Sequence, residues 1–145
     1  RDVTGVQTCA LPIYEVKQKS EQIESELQKV SAEFADIVLI GSDEKGAESR
    51  LKINGNTLIR SENGQIIGRS AQHADYVLNL ETVSRKHLRI FIREQHIYIE
   101  DLNSANGTAI NGKALIPGQE YELNAADTLK IGLSTYSVNL LESQT

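Results

Sequence analysis

The feature that most limits how this chain can fold is the spacing of its turn formers. From residue 36 onward, short apolar runs are each stopped within a few residues by Gly, Asn, Asp or Ser. Ile37-Val38-Leu39-Ile40 halts at Gly41-Ser42-Asp43, Leu51 and Ile53 lead into Asn54-Gly55, and Leu58-Ile59 is followed by Asn63-Gly64. Ile66-Ile67, Tyr76-Val77-Leu78 and residues 88–92, 97–99, 108–110, 121–123, 129–131 and 136–141 continue the pattern as further strand candidates. Runs this short and frequent, with no helical stretch between them, predict an all-β antiparallel sandwich or barrel of about ten or eleven short strands. Asn-Gly supplies the positive φ that two-residue hairpin turns need. Asn111-Gly112, between Thr108-Ala109-Ile110 and Lys113-Ala114-Leu115, is the clearest hairpin signal.

The preceding part has another texture. Residues 14–35 hold no Gly or Pro, and apolar side chains recur at Val16, Ile23, Leu27, Val30 and Phe34, continuing to Ile37. Steps of this kind trace one face of a helix. The segment is expected to be an acidic linker helix or the end of a coiled coil, and in the second case a helix-mediated dimer follows. The first thirteen residues, opening Arg1-Asp2-Val3-Thr4-Gly5-Val6 and including the single cysteine, Cys9, resemble the translated read-through of a sequencing-library adapter. They are set aside as an artefact, so the natural N-terminus is expected upstream of this sequence. The expected organisation is therefore 1–13 artefact, 14–35 helix and 36–142 β-domain.

Charge narrows the partners. The formal net charge is −5, opposite in sign to that of a typical nucleic-acid binder. No apolar run approaches the roughly 20 residues of a membrane-spanning helix, so the visible part is expected to be soluble and to make no membrane contact itself. Its expected place is the cytoplasm, alone or as the cytosolic part of a larger or membrane-anchored protein. No cysteine or histidine cluster has metal-ligand spacing, and His73-x-Asp75 alone is too little. Neither a cofactor nor a metal is expected. The acidity is uneven: glutamates crowd residues 15–48, whereas Arg69, Arg85, Lys86, Arg89 and Arg93 come later. An anion site on this chain must be a local arrangement.

One hairpin locates such a site. Leu88, Ile90 and Ile92 alternate with Arg89, Phe91 and Arg93, and Ile97 and Ile99 alternate with His96, Tyr98 and Glu100, with Glu94-Gln95 as the turn. Antiparallel strands of similar length return the chain to the edge it left. Ser84-Arg85-Lys86-His87 should therefore lie beside Asn103-Ser104-Ala105-Asn106-Gly107. The strand ending at Gly68-Arg69 is a candidate to add a further guanidinium. Arg89 and Arg93 read as one exposed strand face. A hydroxyl, guanidinium forks and loop amides on one edge suit a phosphomonoester, which is nearly dianionic and offers three acceptor oxygens.

Gly68-Arg69, Ser84-Arg85-Lys86-His87, Asn106-Gly107-Thr108 and Asn111-Gly112 occur in the order of a signature that resembles the forkhead-associated (FHA) domain. Asp75-Tyr76-Val77-Leu78 and Asp127-Thr128-Leu129-Lys130-Ile131-Gly132 extend the likeness, which covers roughly residues 37–141. The resemblance implies an FHA/SMAD-like sandwich that binds phosphothreonine peptides produced by a Ser/Thr protein kinase and is not an enzyme. It implies that Arg69, Ser84 and Arg85 contact the phosphate and that Asn106 holds the ligand main chain. Gly68, His87, Gly107, Asn111 and Gly112 would support the site, with Thr82 and Ala105 as candidate peptide-specificity positions. In the family a small pocket takes the threonine methyl, which favours phosphothreonine over phosphoserine. Ala105 departs from the Thr or Ser of many members, and Ala126 stands where a glycine often precedes the aspartate matching Asp127.

Two other readings compete. A hydrolase using Ser84, His87 and Asp101 lacks a Gly-x-Ser-x-Gly elbow, and no P-loop is present. Ser84 and His87 are also expected on extended chain, where positions three apart face opposite ways. A phosphate-independent scaffold is the second alternative, against which the intact Arg69, Ser84 and Asn106 argue.

Overall fold

The computed structural model describes residues 33–141. The adapter-like segment, nearly all of the expected helix and residue 142 lie outside the described residues. Of the expected helical segment, residues 33–35 are irregular. Phe34 packs against the core, and its N–H donates to Asn56 Oδ1 at 2.8 Å. Ile37 belongs to a strand and not to the helical stripe, because Ile37 and Leu39 together fill one face of a sheet and are fully buried there.

Among the described residues, eleven strands form two sheets. The larger contains β1 (Asp36–Ser42), β2 (Glu48–Ile53), β7 (Thr108–Ile110), β8 (Lys113–Ala114), β10 (Thr128–Ile131) and β11 (Ser134–Leu141), in the order β2-β1-β11-β10-β7-β8. The smaller contains β3 (Gln65–Gly68), β4 (Tyr76–Val77), β5 (Leu88–Arg93), β6 (His96–Asp101) and β9 (Glu120–Leu123), in the order β4-β3-β5-β6-β9. Alternate side chains face inward from both sheets. Ile37, Leu39, Ile53, Leu129, Ile131 and Tyr136 meet Ile67, Leu88, Ile90, Ile99 and Leu123 in one core. The Tyr136 hydroxyl, buried with its ring, is satisfied by Ser49 Oγ at 2.9 Å.

The β5–β6 hairpin has the expected register, Leu88 opposite Asp101 and Arg93 opposite His96. Glu94 and Gln95 both take positive φ, 54° and 69°, as a two-residue turn matched to strand twist requires. Asn111 and Gly112 do the same between β7 and β8.

Two local expectations are corrected. Leu58-Ile59 is not a strand but part of the short helix α1 (Gly55–Ile59). Asn54 caps it, its side-chain oxygen accepting from Thr57 N–H at 2.9 Å, and Leu58 is fully buried. An Asn followed by Gly serves a helix start as readily as a hairpin, and the apolar pair is too short to separate the two. The pairing is also not wholly antiparallel, since β4 runs parallel to β3 with Ile67 opposite Tyr76. The loop from Arg69 to Asp75 carries the chain back to the start of β3 and so allows this, with Asp75 N–H donating to Ile66 O at 2.8 Å.

Strand direction sorts the loops. β1 and β11 pair antiparallel from Asp36–Leu141 at one end to Ser42–Thr135 at the other. The second end carries the β1–β2 turn, the β10–β11 turn and the loops described next.

Candidate functional site

The site begins with a backbone contact. At the end of β3, Arg69 N–H donates to Ser84 O at 2.9 Å and Ser70 N–H to Arg85 O at 3.4 Å. A methyl group at Gly68 would lie 2.0 Å from the Arg85 carbonyl oxygen and 3.0 Å from that of Ser84. Only glycine lets the two segments come this close. The approach joins Arg69 to Ser84 and Arg85, the step that the hairpin alone left open.

From the other side, the β6–β7 loop closes on the same segment. Leu102 N–H donates to His87 O at 2.9 Å, and Ala105 N–H donates to Ser84 Oγ at 2.9 Å. Because the Ser84 oxygen accepts that amide, its own proton is left for another acceptor. Asn106 Nδ2 donates to Thr82 O at 2.9 Å, tying this loop to the β4–β5 loop.

His87 braces the arrangement from inside. It is fully buried; Nδ1 accepts from Ser84 N–H at 3.0 Å and Nε2–H donates to Gly107 O at 2.9 Å. Both ring nitrogens are thus engaged by backbone, and the neutral tautomer carries its proton on Nε2. Burial pushes the imidazole below its ordinary value, against the opposing pull of the Gly107 carbonyl and the Asp101 carboxylate. The expectation that residues 84–87 are extended is corrected: the segment bends, and the bend is closed by the imidazole itself. Asp101 is buried and accepts from Ser104 Oγ at 2.5 Å, Ser104 N–H at 3.0 Å and Thr108 Oγ1 at 2.6 Å. Burial opposes its charge, but the Ser104 and Thr108 bonds outweigh it and hold the carboxyl below its usual value. Asp101 shapes the loop, and the His87 ring nitrogens and Asp101 oxygens that a Ser-His-Asp relay would use are bonded to other groups.

Thr82 is the knot at which four segments meet. Its hydroxyl donates to Glu44 Oε1 at 2.6 Å and accepts from Leu133 N–H at 3.0 Å. Glu44, on the β1–β2 turn, also accepts from Thr82 N–H at 2.9 Å and Glu81 N–H at 3.1 Å. The Thr82 hydroxyl and then its amide hold the Glu44 carboxyl below the usual range. Thr82, a candidate specificity position, therefore has its hydroxyl committed within the protein. Ala105 presents backbone and an exposed methyl. Asn111 is more than a turn residue: it donates to Asp127 Oδ1 at 3.0 Å and accepts from Thr128 N–H at 2.8 Å.

Between these loops lies an open cavity of about 440 Å³ lined by Arg69, His73, Ser84, Arg85, Lys86 and Leu102. Arg69 makes one long hydrogen bond, 3.4 Å to Glu81 O. Among the described residues, Arg69, Arg85 and Lys86 form no ion pair. Arg89 and Arg93 differ: they pair with Glu100 and Glu120 and stack over Phe91 and Tyr98 on the outer sheet face. A second hollow of about 440 Å³ adjoins the site beyond Asn106 and Gly107, but Lys130 is its one cation. The first cavity, with three cations on its wall, is the candidate anion site. Glu44 escaped the sequence reading, and His73 entered it only as half of the His73-x-Asp75 pair, although Ser70-x-x-His73 has the spacing of a hydroxyl-capped turn.

The model of the FHA domain family matches residues 65–132, which span β3 through β10. A solved structure described under phosphothreonine-dependent FHA domain interactions is 32% identical, with a TM-score of 0.52, covering 72% of this chain and 95% of its own. The chain belongs to the FHA domain family. The solved FHA domain of FhaA, complexed with the intracellular domain of Rv3910, is 31% identical to this FHA domain with a TM-score of 0.50, covering 71% of this chain and 99% of its own. Among curated proteins, FHA domain-containing protein FhaA of Mycobacterium tuberculosis is 38% identical over 87 residues, 60% of this chain. The match spans 16% of FhaA, and the other curated relatives are likewise matched over less than a fifth of their length. FHA domains are usually binding modules without catalytic activity, and Ser84, His87 and Asp101 are arranged here as braces and donors.

Proposed function

We propose that this FHA domain captures phosphothreonine-bearing protein segments written by a Ser/Thr protein kinase, with Arg69, Ser84 and Arg85 on the phosphate and Asn106 on the peptide main chain. One observation carries the reading: guanidinium and ammonium groups that form no ion pair among the described residues line a single cavity together with the hydroxyl of Ser84. A phosphate brings about −1.5 to −2 charges and three acceptor oxygens to those donors. Each charge-assisted hydrogen bond contributes about 1.5–3 kcal/mol net, so two or three make the phosphate decisive. The phosphothreonine dependence of one solved relative, and the protein partner held by another, support the same assignment. The proposal also sets the module in the cytosol, where such kinases act.

Calorimetry against a phosphothreonine peptide library tests it, with phosphoserine and unmodified peptides as controls. Arg69→Ala should keep the fold and weaken binding about tenfold to a hundredfold. A variant that binds as tightly as the wild type refutes the site, and equal binding of unmodified peptide moves the domain to a phosphate-independent scaffold. Generic esters should not turn over; hydrolysis that depends on Ser84 would restore the enzyme reading.

A further inference from the structure

We infer that His73 is a further ligand of the phosphate, one that takes up a proton as the phosphopeptide docks. The inference rests on the phosphopeptide reading above and adds a titratable group to its site. His73 lines the same cavity as Arg69, Ser84, Arg85 and Lys86. It sits on a turn held by Ser70: His73 N–H and Ala74 N–H donate to Ser70 O at 3.0 and 2.8 Å, and Gln72 N–H donates to Ser70 Oγ at 3.3 Å. Ser70 N–H in turn donates to Arg85 O, so the turn is anchored to the segment that carries the phosphate donors.

The ring is aimed by one bond, Ser70 Oγ to His73 Nδ1 at 3.0 Å. A hydroxyl can donate to a neutral Nδ1 or accept from a protonated one. This bond therefore survives when the imidazole gains a proton, and in the tautomer whose Nδ1 accepts from Ser70, Nε2–H is a donor in both states. His87 is built the other way. Its Nδ1 accepts from the Ser84 amide, which can only donate, so protonation there would break a bond. Of the two histidines beside the site, the exposed one can charge without structural loss.

The charged groups around His73 favour an anion in their midst. Arg69, Arg85 and Lys86 share its cavity, and no carboxylate lines it. Asp75, two residues further on, is turned to Ile66 N–H at 2.8 Å. Among these cations, a phosphate dianion is the partner that favours a charged imidazole. Imidazole is the side chain that ordinarily changes charge between about pH 5 and 8, and the phosphate keeps most of its second charge down to about pH 6, so the contact should strengthen as pH falls from 8 to 6.

The test uses the tightest phosphothreonine peptide from the library and compares the wild type with His73→Gln by calorimetry at pH 6 and pH 8. The position is exposed, so the substitution should leave folding intact, and circular dichroism checks that it does. The variant should bind about twofold to threefold more weakly at pH 8 and about tenfold more weakly at pH 6. Calorimetry in buffers of different ionisation enthalpy should show more protons taken up by the wild type than by the variant. His87 titrates in both proteins and cancels in the comparison, and the protonation of the peptide's phosphate, free and bound, is followed separately by phosphorus NMR. A ratio of affinities that does not change with pH, or equal proton uptake, overturns the inference; if Arg69→Ala still weakens binding about tenfold or more, the phosphopeptide reading stands. Failure of the wild type to prefer phosphopeptide over unmodified peptide overturns both.

Discussion

Replacing Gly68 by Ala should damage both the fold and the anion site, and the size of each effect follows from the geometry. The added methyl would meet the Arg85 carbonyl oxygen at 2.0 Å. Carbon and carbonyl oxygen settle at about 3.3 Å, so the segments must part by roughly 1.3 Å. The obstacle is backbone and not a side-chain tip, so it cannot swing aside. A separation of that size takes the 2.9 Å bond from Arg69 N–H to Ser84 O out of range, and the longer one from Ser70 to Arg85 with it. Overpacking costs about 1–3 kcal/mol, and each lost bond about 1 kcal/mol. The expected destabilisation is about 3–5 kcal/mol by urea unfolding, a large share of an ordinary domain's stability of about 5–15 kcal/mol. In protein that remains folded at low temperature, the displaced Arg69 and Ser84 should lose one charge-assisted bond or more, weakening phosphopeptide binding at least about tenfold. A variant within about 0.5 kcal/mol of the wild type that binds equally well would show that the close approach holds nothing in place.

Two further outcomes are expected. His87 has a folded-state value below its ordinary 6.5, so the unfolded chain takes up the proton first. Its contribution is complete above pH 6.5 and is lost as pH falls below that value toward the folded one; the urea midpoint should drop over this window, and His87→Gln should flatten it. Asp101, held below 3.8, would add a separate loss only in more acid solution. Ala126 adopts φ 73° in an exposed turn, so Ala126→Gly should raise stability by about 0.5–1 kcal/mol in the same assay.

Much of this was legible in the residues because it is local. Alternation along residues 88–100 gave the hairpin, its register and the meeting of Ser84 with Ala105, since strand pairing converts sequence distance into spatial distance by simple counting. The ordered motifs named the family that the comparisons then showed. What escaped is non-local or too short to have a period. Glu44 reaches Thr82 across 38 positions, and nothing near either residue announces it. Leu58-Ile59 offers too few residues to tell a helical turn from a strand. The bend at residues 84–87 depends on an imidazole anchored by Gly107, 20 positions away. His73 was visible only as half of a failed metal pair, because its meaning comes from the cavity it shares.

The pairing of Asp36 with Leu141 sets both borders of the domain side by side, at the pole away from the recognition loops. Whatever polypeptide is joined at either border attaches at the rear, so a tether leading in and another leading out need never pass in front of the pocket. A unit wired this way can be spliced into the middle of an unrelated sequence and still leave the edge that carries Arg69 and Ser84 uncovered by its own connections.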